Sequence, residues 1–193
     1  MDKTGNLQTV WGDIEEKQNA ELCFCCHIGR YEEAKIVLVA KDVYNLFING
    51  QFAAYGPGRA AKGYSRIERL DISSYLTEEV NEVAVYVQSN HTSTLSFAKE
   101  SPLFGAHVLA DGEVIRETAD FKCYKMTDKL CRVERMSSQR GFVEVYDMRE
   151  DRKRIAGSHF PRIGTRNAAC PRIRERGVSY SNNAERAAEC IKS

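Results

Sequence analysis

Apolar and polar positions alternate along most of the first 149 residues. From Glu21 to Ile28, Leu22, Phe24, Cys26 and Ile28 fall on one face, and Cys23, Cys25 and His27 on the other. From Glu82 to Gln88, Val83, Val85 and Val87 oppose Ala84 and Tyr86. A period of two residues is that of a β-strand. Ala34 to Ala40 is β-branched and reads as a buried strand. Val43 to Ile48 alternates again and ends in Asn49-Gly50. Both residues accept positive φ at low cost, so the pair predicts a two-residue hairpin turn. Phe52, Ala54 and Tyr55 carry the return strand, and Gly56-Pro57-Gly58 ends it, because proline offers no N–H to a ladder.

Further strands are expected over Tyr64 to Leu70, Phe104 to Ala110, Val114 to Thr118, Phe121 to Met126, Leu130 to Glu134 and Gly141 to Tyr146. Asp111-Gly112 supplies a second hairpin turn. Asp71 to Leu76 reads as a turn or a single helical turn, capped by Asp71 or Ser73. Ser89 to Thr94 is a polar loop containing His91. Trp11 is expected to plug the sheet. No amphipathic helix of ten residues or more precedes residue 150. Many short strands with turn signals between them predict an all-β fold, an antiparallel β-sandwich.

Three regions follow: a polar N-terminal segment over 1–20, the sandwich over 21–149, and an irregular tail over 150–193 rich in Arg, Pro, Gly, Ser and Asn. The tail reads as a basic linker or strap, with Phe160, Ile163 and Ile173 as apolar anchors and Ala184 to Lys192 as its only helical stretch. Net charge is +1. From Arg149 onward there are eleven Lys/Arg against five Asp/Glu, a net of +6, which leaves −5 on the remainder. A basic tail of this kind can dock on an acidic body, on another domain or on a polyanion. Arg166, Arg172, Arg174 and Arg176 lack interleaved aromatics, so nucleic acid is not an expected partner.

No run approaches the ~18 apolar residues of a membrane span. The N-terminus has no basic start or apolar core of a secretory signal, and seven cysteines suggest no disulfide framework. A cytoplasmic location and seven free thiols are therefore expected. Cys23 and Cys26 have CxxC spacing, but a strand would point them to opposite faces, and no second pair exists. No metal site or cofactor is expected. His27, His91, His107 and His159 are scattered, and nucleophile-elbow, phosphate-loop and dinucleotide motifs are missing. The carboxylates Glu32, Glu33, Glu78, Glu79, Asp111, Glu113, Glu144, Asp147 and Asp151 are mostly turn residues. A glycosidase requires two carboxylates across a cleft, and no such pair is legible here.

Several stretches together resemble the N-terminal β-sandwich of bacterial α-L-rhamnosidases. They are Asp42-Val43-Tyr44-Asn45-Leu46-Phe47-Ile48-Asn49-Gly50, Tyr55-Gly56-Pro57-Gly58-Arg59, Leu70-Asp71-Ile72-Ser73-Ser74-Tyr75-Leu76 and Asn81-Glu82-Val83-Ala84-Val85. Gly141 to Arg149 is similar to the segment that closes the family's module. The resemblance covers roughly Glu21 to Arg149. It implies a jelly roll of the galactose-binding type. Glu79-Val80 stands where the family has a glycine before Asn81. The family's catalytic acid and base lie in a large (α/α) barrel that has no counterpart in these residues, so neither is carried over and no catalytic residue is assigned.

The resemblance thus implies an accessory domain of an enzyme that removes terminal α-L-rhamnose by an inverting, two-carboxylate route. Its partner would be the catalytic barrel, and the chain would be a fragment of such an enzyme or a stand-alone relative. A second reading is an independent carbohydrate-binding module, with Tyr55, Arg59 and Tyr64 as the sugar-binding candidates. A third is a purely structural interaction domain.

Overall fold

A computed structural model describes residues 7–15, 18–149 and 161–168. Phe160, Ile173, His159, Cys170, Cys190 and the stretch 184–192 lie outside the described residues. Among the described residues twelve strands run β1 (Val10–Gly12), β2 (Ala20–Gly29), β3 (Ala34–Lys41), β4 (Val43–Ile48), β5 (Gln51–Gly56), β6 (Glu68–Asp71), β7 (Val80–Ser89), β8 (Leu103–Ala110), β9 (Glu113–Arg116), β10 (Lys122–Lys125), β11 (Arg162–Ile163) and β12 (Thr165–Asn167). One sheet has the order β12-β1-β8-β3-β6, with β9 also paired to β8; the other has the order β11-β10-β2-β7-β4-β5. Every strand pair is antiparallel. The fold is the expected two-sheet β-sandwich.

Alternation decides what each face buries. Leu22, Phe24, Cys26 and Ile28 enter the central core with Ile36, Leu38, Tyr44, Leu46, Val83, Val85, Val87, Phe104 and Val108. Phe24 stacks on Phe104 at 4.1 Å between ring centroids, and Trp11 tilts against Phe24 at 6.1 Å. Trp11 is therefore the expected plug. The opposite face of β2 and β7 forms a second cluster, of Cys23, Cys25, Ala84 and Tyr86 with Met126. Cys23 and Cys26 thus sit on opposite faces of one strand, where a strand's pleat must put them.

Both hairpins form where the turn residues predict. Asn49 and Gly50 have φ of 52° and 74°, and Asp111 and Gly112 have φ of 52° and 79°. Gly50→Val would force a β-branched side chain into the left-handed region, at a cost of about 1–3 kcal/mol. Denaturant unfolding should show that loss, and a variant as stable as the parent would contradict the turn.

Buried Asn81 holds the end of the sandwich together. Its amide donates to Glu78 O (2.6 Å) and Gly29 O (3.3 Å), and its carbonyl accepts from Asn49 Nδ2 (2.8 Å) and Glu78 N (3.1 Å). Asn49 in turn accepts from Glu82 N at 2.9 Å.

Three local expectations change. The strand expected over 64–70 starts only at Glu68, because residues 57–66 line a cleft instead of a ladder. The strands expected over 130–134 and 141–146 are reduced to an irregular ribbon, with bridges at Lys129–Tyr146 and Arg135–Phe142. Their alternation is present, but no third strand completes a sheet. The expected turn over Asp71 to Leu76 does form, as a 3₁₀ turn at Ser73–Tyr75 with Asp71 accepting from Ser73 N at 2.9 Å. Finally, the outer segments contribute strands: β1 pairs with β12, and β11 pairs with β10. Trp11 and Ile163 supply their apolar contacts with the core.

Candidate functional site

β3 and β4 are separated by one residue, yet they belong to different sheets. The chain crosses between the layers at Lys41-Asp42, and a cleft opens there. It is lined by Ala40 to Asp42, by 57–60, 62 and 64–66 after β5, and by Ser96, Phe97, Ala98 and Glu100 before β8. Its empty volume is about 430 Å³, counted to the open mouth.

Gly56 begins the first loop and must be glycine. A Cβ there would lie 2.3 Å from a Glu68 carboxylate oxygen and 2.7 Å from the Tyr44 ring. Glu68 accepts hydrogen bonds from Tyr44 Oη and, at 2.8 Å, from Gly58 N. Burial, reinforced by Glu68, pushes the Tyr44 phenol far above its ordinary pKa, so it stays a donor at any physiological pH. This pair pins the start of the loop to the core.

Glu100 ties the second loop to the crossover. Its carboxylate pairs with Lys41 Nζ and accepts from Gly63 N. Lys41 is buried, so this pairing answers a charge that water cannot reach. Asp42 accepts from Asn90 N at 2.7 Å. Burial raises its pKa, while the amides of Asn90 and His91 and the charge of Lys41 oppose the shift. His91 Nδ1 lies 3.1 Å from Glu100 O. Behind the loop, the 128–147 ribbon acts as a brace: Leu95 N donates to Gln139 O at 2.9 Å, and Arg135 donates to Ser93 O. Arg59 bridges the two loops, donating to Ser96 Oγ at 3.3 Å.

The three sugar-binding candidates therefore separate. Arg59 and Tyr64 line one cleft. Tyr55, 64% exposed, does not line it and stands in β5 opposite Asn45, two register steps from the edge-to-face pair Phe52 and Phe47. Sequence reasoning missed Lys62, Ser65, Arg66, Phe97 and Glu100. Lys62 and Arg66 carry a signal in hindsight, being cations three and seven residues after Arg59 in the same loop. Phe97 and Glu100 carry none, because more than thirty residues separate them from Arg59.

Among the described residues, no group of three or more His, Cys, Asp or Glu could hold a metal ion. The described histidines do not converge. His27 lies 4.0 Å from Glu82, and His107 is buried, with its pKa pushed down by burial. Half-buried Asp147 pairs with exposed Arg149, whose hydrogen bonds hold the Asp147 carboxyl down to about 2.

The described cysteines are all free: Cys23, Cys25, Cys26 and Cys123 are buried, and Cys131 is half-buried. Burial pushes the Cys26 and Cys123 thiols up to about 12, which leaves almost no thiolate at neutral pH. In the native protein a thiol reagent should modify Cys131 before any of those four. Unfolding without reductant should expose all seven thiols of the chain. A count of three or fewer would indicate disulfides.

Comparison with known proteins adds context. No protein-family model matches the chain, and no curated protein does. Solved structures do. A rhamnosidase of glycoside hydrolase family 78 from Bacillus sp. GL1 matches at 24% identity and a TM-score of 0.73, over 85% of this chain and 18% of its own. The α-L-rhamnosidase of Dictyoglumus thermophilum matches at 15% identity and a TM-score of 0.63, over 89% of this chain and 22% of its own. That of Aspergillus terreus matches at 15% identity and a TM-score of 0.57, over 86% and 22%. The shared feature is the fold, and the chain spans about a fifth of each of these enzymes.

Proposed function

We propose that this chain is a non-catalytic accessory β-sandwich of an α-L-rhamnosidase, an enzyme that would remove terminal α-L-rhamnose from glycosides or polysaccharides. The observation that carries this reading is one of coverage: nearly the whole chain matches a minor part of three rhamnosidases. In this reading the sandwich is a jelly roll of the galactose-binding type, packs on a catalytic (α/α) barrel and helps shape access to it. The reading includes a cytoplasmic location, which the free described cysteines support. Among the described residues no helix is long and apolar enough to cross a membrane.

The cleft carboxylates have anchoring roles in this account. Asp42 is buried against the Asn90 amide, and Glu100 is taken by Lys41 and Gly63. Sugar binding is a second reading, favoured by Arg59 and Tyr64 sharing a cleft.

The test is to sequence the gene on both sides of this stretch, express the (α/α) barrel encoded there, and titrate this chain into it. A one-to-one complex with a raised barrel melting temperature supports the reading. Flanking sequence without a barrel, or a barrel that ignores the chain, overturns it.

A further inference from the structure

We propose that the cleft between the 57–66 and 90–102 loops binds a carboxylated sugar, a uronate unit of a saccharide. This deepens the sugar-binding reading of the cleft and rests on it.

The charge left over in the cleft is the first argument. Lys41 and Glu100 pair with each other, and Asp42 is turned to the Asn90 amide. Arg59, Lys62 and Arg66 remain, all lining the same space. None of the three has a carboxylate partner among the described residues. Arg59 spends one N–H on the neutral Ser96 hydroxyl and keeps its charge. The cleft lining holds four cations against two carboxylates; such an excess around a concave site attracts an anion, and a guanidinium fork matches a carboxylate in two parallel hydrogen bonds.

The walls argue for a sugar bearing that anion. Tyr64 and Phe97 are half-buried and line the cleft with Ala40, Ala60 and Ala98. Rings and small apolar side chains of this kind accept the apolar face of a pyranose. A separate observation concerns Ser65. It lines the cleft and is only 3% exposed, yet its hydroxyl has no hydrogen-bond partner among the described residues. Buried hydroxyls are ordinarily paired, and a ligand hydroxyl reaching the floor would pair this one.

A long polyanion fits less well. The body of the chain before Arg149 carries a net charge of −5, which would repel a nucleic acid running across that body beyond the cleft.

The experiment titrates the isotope-labelled full chain with cellobiouronate and, separately, with cellobiose, which differs by the single carboxylate. Inorganic phosphate and a short single-stranded oligonucleotide are further titrants. Cellobiouronate at millimolar concentration should shift the amide resonances of 57–66 and 90–102. Cellobiose should bind at least about tenfold more weakly, as the loss of a charge-assisted contact predicts. Arg59→Gln and Lys62→Gln, both at exposed positions that should not disturb folding, should each weaken cellobiouronate binding several-fold. Ser65→Ala should weaken both sugars, and Tyr55→Ala neither. Equal binding of the two sugars would overturn the uronate assignment and leave sugar binding standing. Phosphate or the oligonucleotide shifting the same amides as strongly as cellobiouronate would mean a general anion site and would overturn it too. No shift with any sugar would end both readings.

Discussion

Replacing Phe24 by alanine should cost about 3–5 kcal/mol of folding stability, the range for deleting a large aromatic from a close-packed core. Phe24 is 0% exposed. It lies at the centre of β2, the strand held between β10 and β7. Its ring stacks on Phe104 of the opposite sheet at 4.1 Å with 12° between the planes, Trp11 leans on it, and Phe104 continues to Phe121 at 5.3 Å. The alanine variant would leave a cavity against the Phe104 and Trp11 rings of the opposite sheet, and such a site relaxes poorly. The expected fall in melting temperature is roughly 10 °C. A loss below about 1 kcal/mol would mean that the two layers do not meet at this point.

Asn81→Ala should cost about 3 kcal/mol, although it removes few atoms. Asn81 is 0% exposed, and both ends of its amide are in use. Truncation would remove four hydrogen bonds at once, those with the Glu78 N–H, the Gly29 and Glu78 carbonyls and the Asn49 amide. Each buried group left unpaired costs about 1–3 kcal/mol, less where water can enter. Asn81→Asp separates shape from chemistry. It keeps the size and one acceptor, but it turns a donor into a carboxylate facing two carbonyl oxygens. It should therefore be destabilised as well, and increasingly so as pH rises through the carboxylate range. If Asn81→Asp were as stable as the parent at neutral pH, the network would not have the assigned orientation.

The same network shows what could be read from residues alone. The Asn49-Gly50 and Asp111-Gly112 turns announce themselves because few residue pairs accept their φ values. The faces of β2 and β7 are legible because alternation is a local property: Val83, Val85 and Val87 enter the central core, and Ala84 and Tyr86 the second cluster on the opposite face. Pairing is not local. β2 lies beside β7, more than fifty residues away, while β3 and β4 are nearly contiguous and belong to different sheets. The ribbon at 128–147 has a strand's pattern without a strand's neighbours. β1, β11 and β12 have neighbours without much pattern, since two or three residues cannot show a period.

The candidate site divides in the same way. The glycine-rich turn after β5 marks the loop that carries Arg59 and Tyr64. The opposite wall, Ser96 to Glu100, is polar loop sequence of ordinary appearance. It becomes a wall only because Glu100 reaches Lys41 and Gly63 across the crossover. Tyr55 was a reasonable candidate by proximity in sequence, but the outward pleat of β5 takes it away from the cleft.

The central claim is that this sandwich serves a glycosidase without performing its chemistry. Hydrolysis of p-nitrophenyl α-L-rhamnoside by the purified chain tests it most directly, with Asp42→Asn and Glu100→Gln measured in parallel, since these are the two carboxylates that line the cleft. The account predicts no release of p-nitrophenol above the buffer rate for any of the three proteins. Release by the parent chain that disappears in either variant would contradict it.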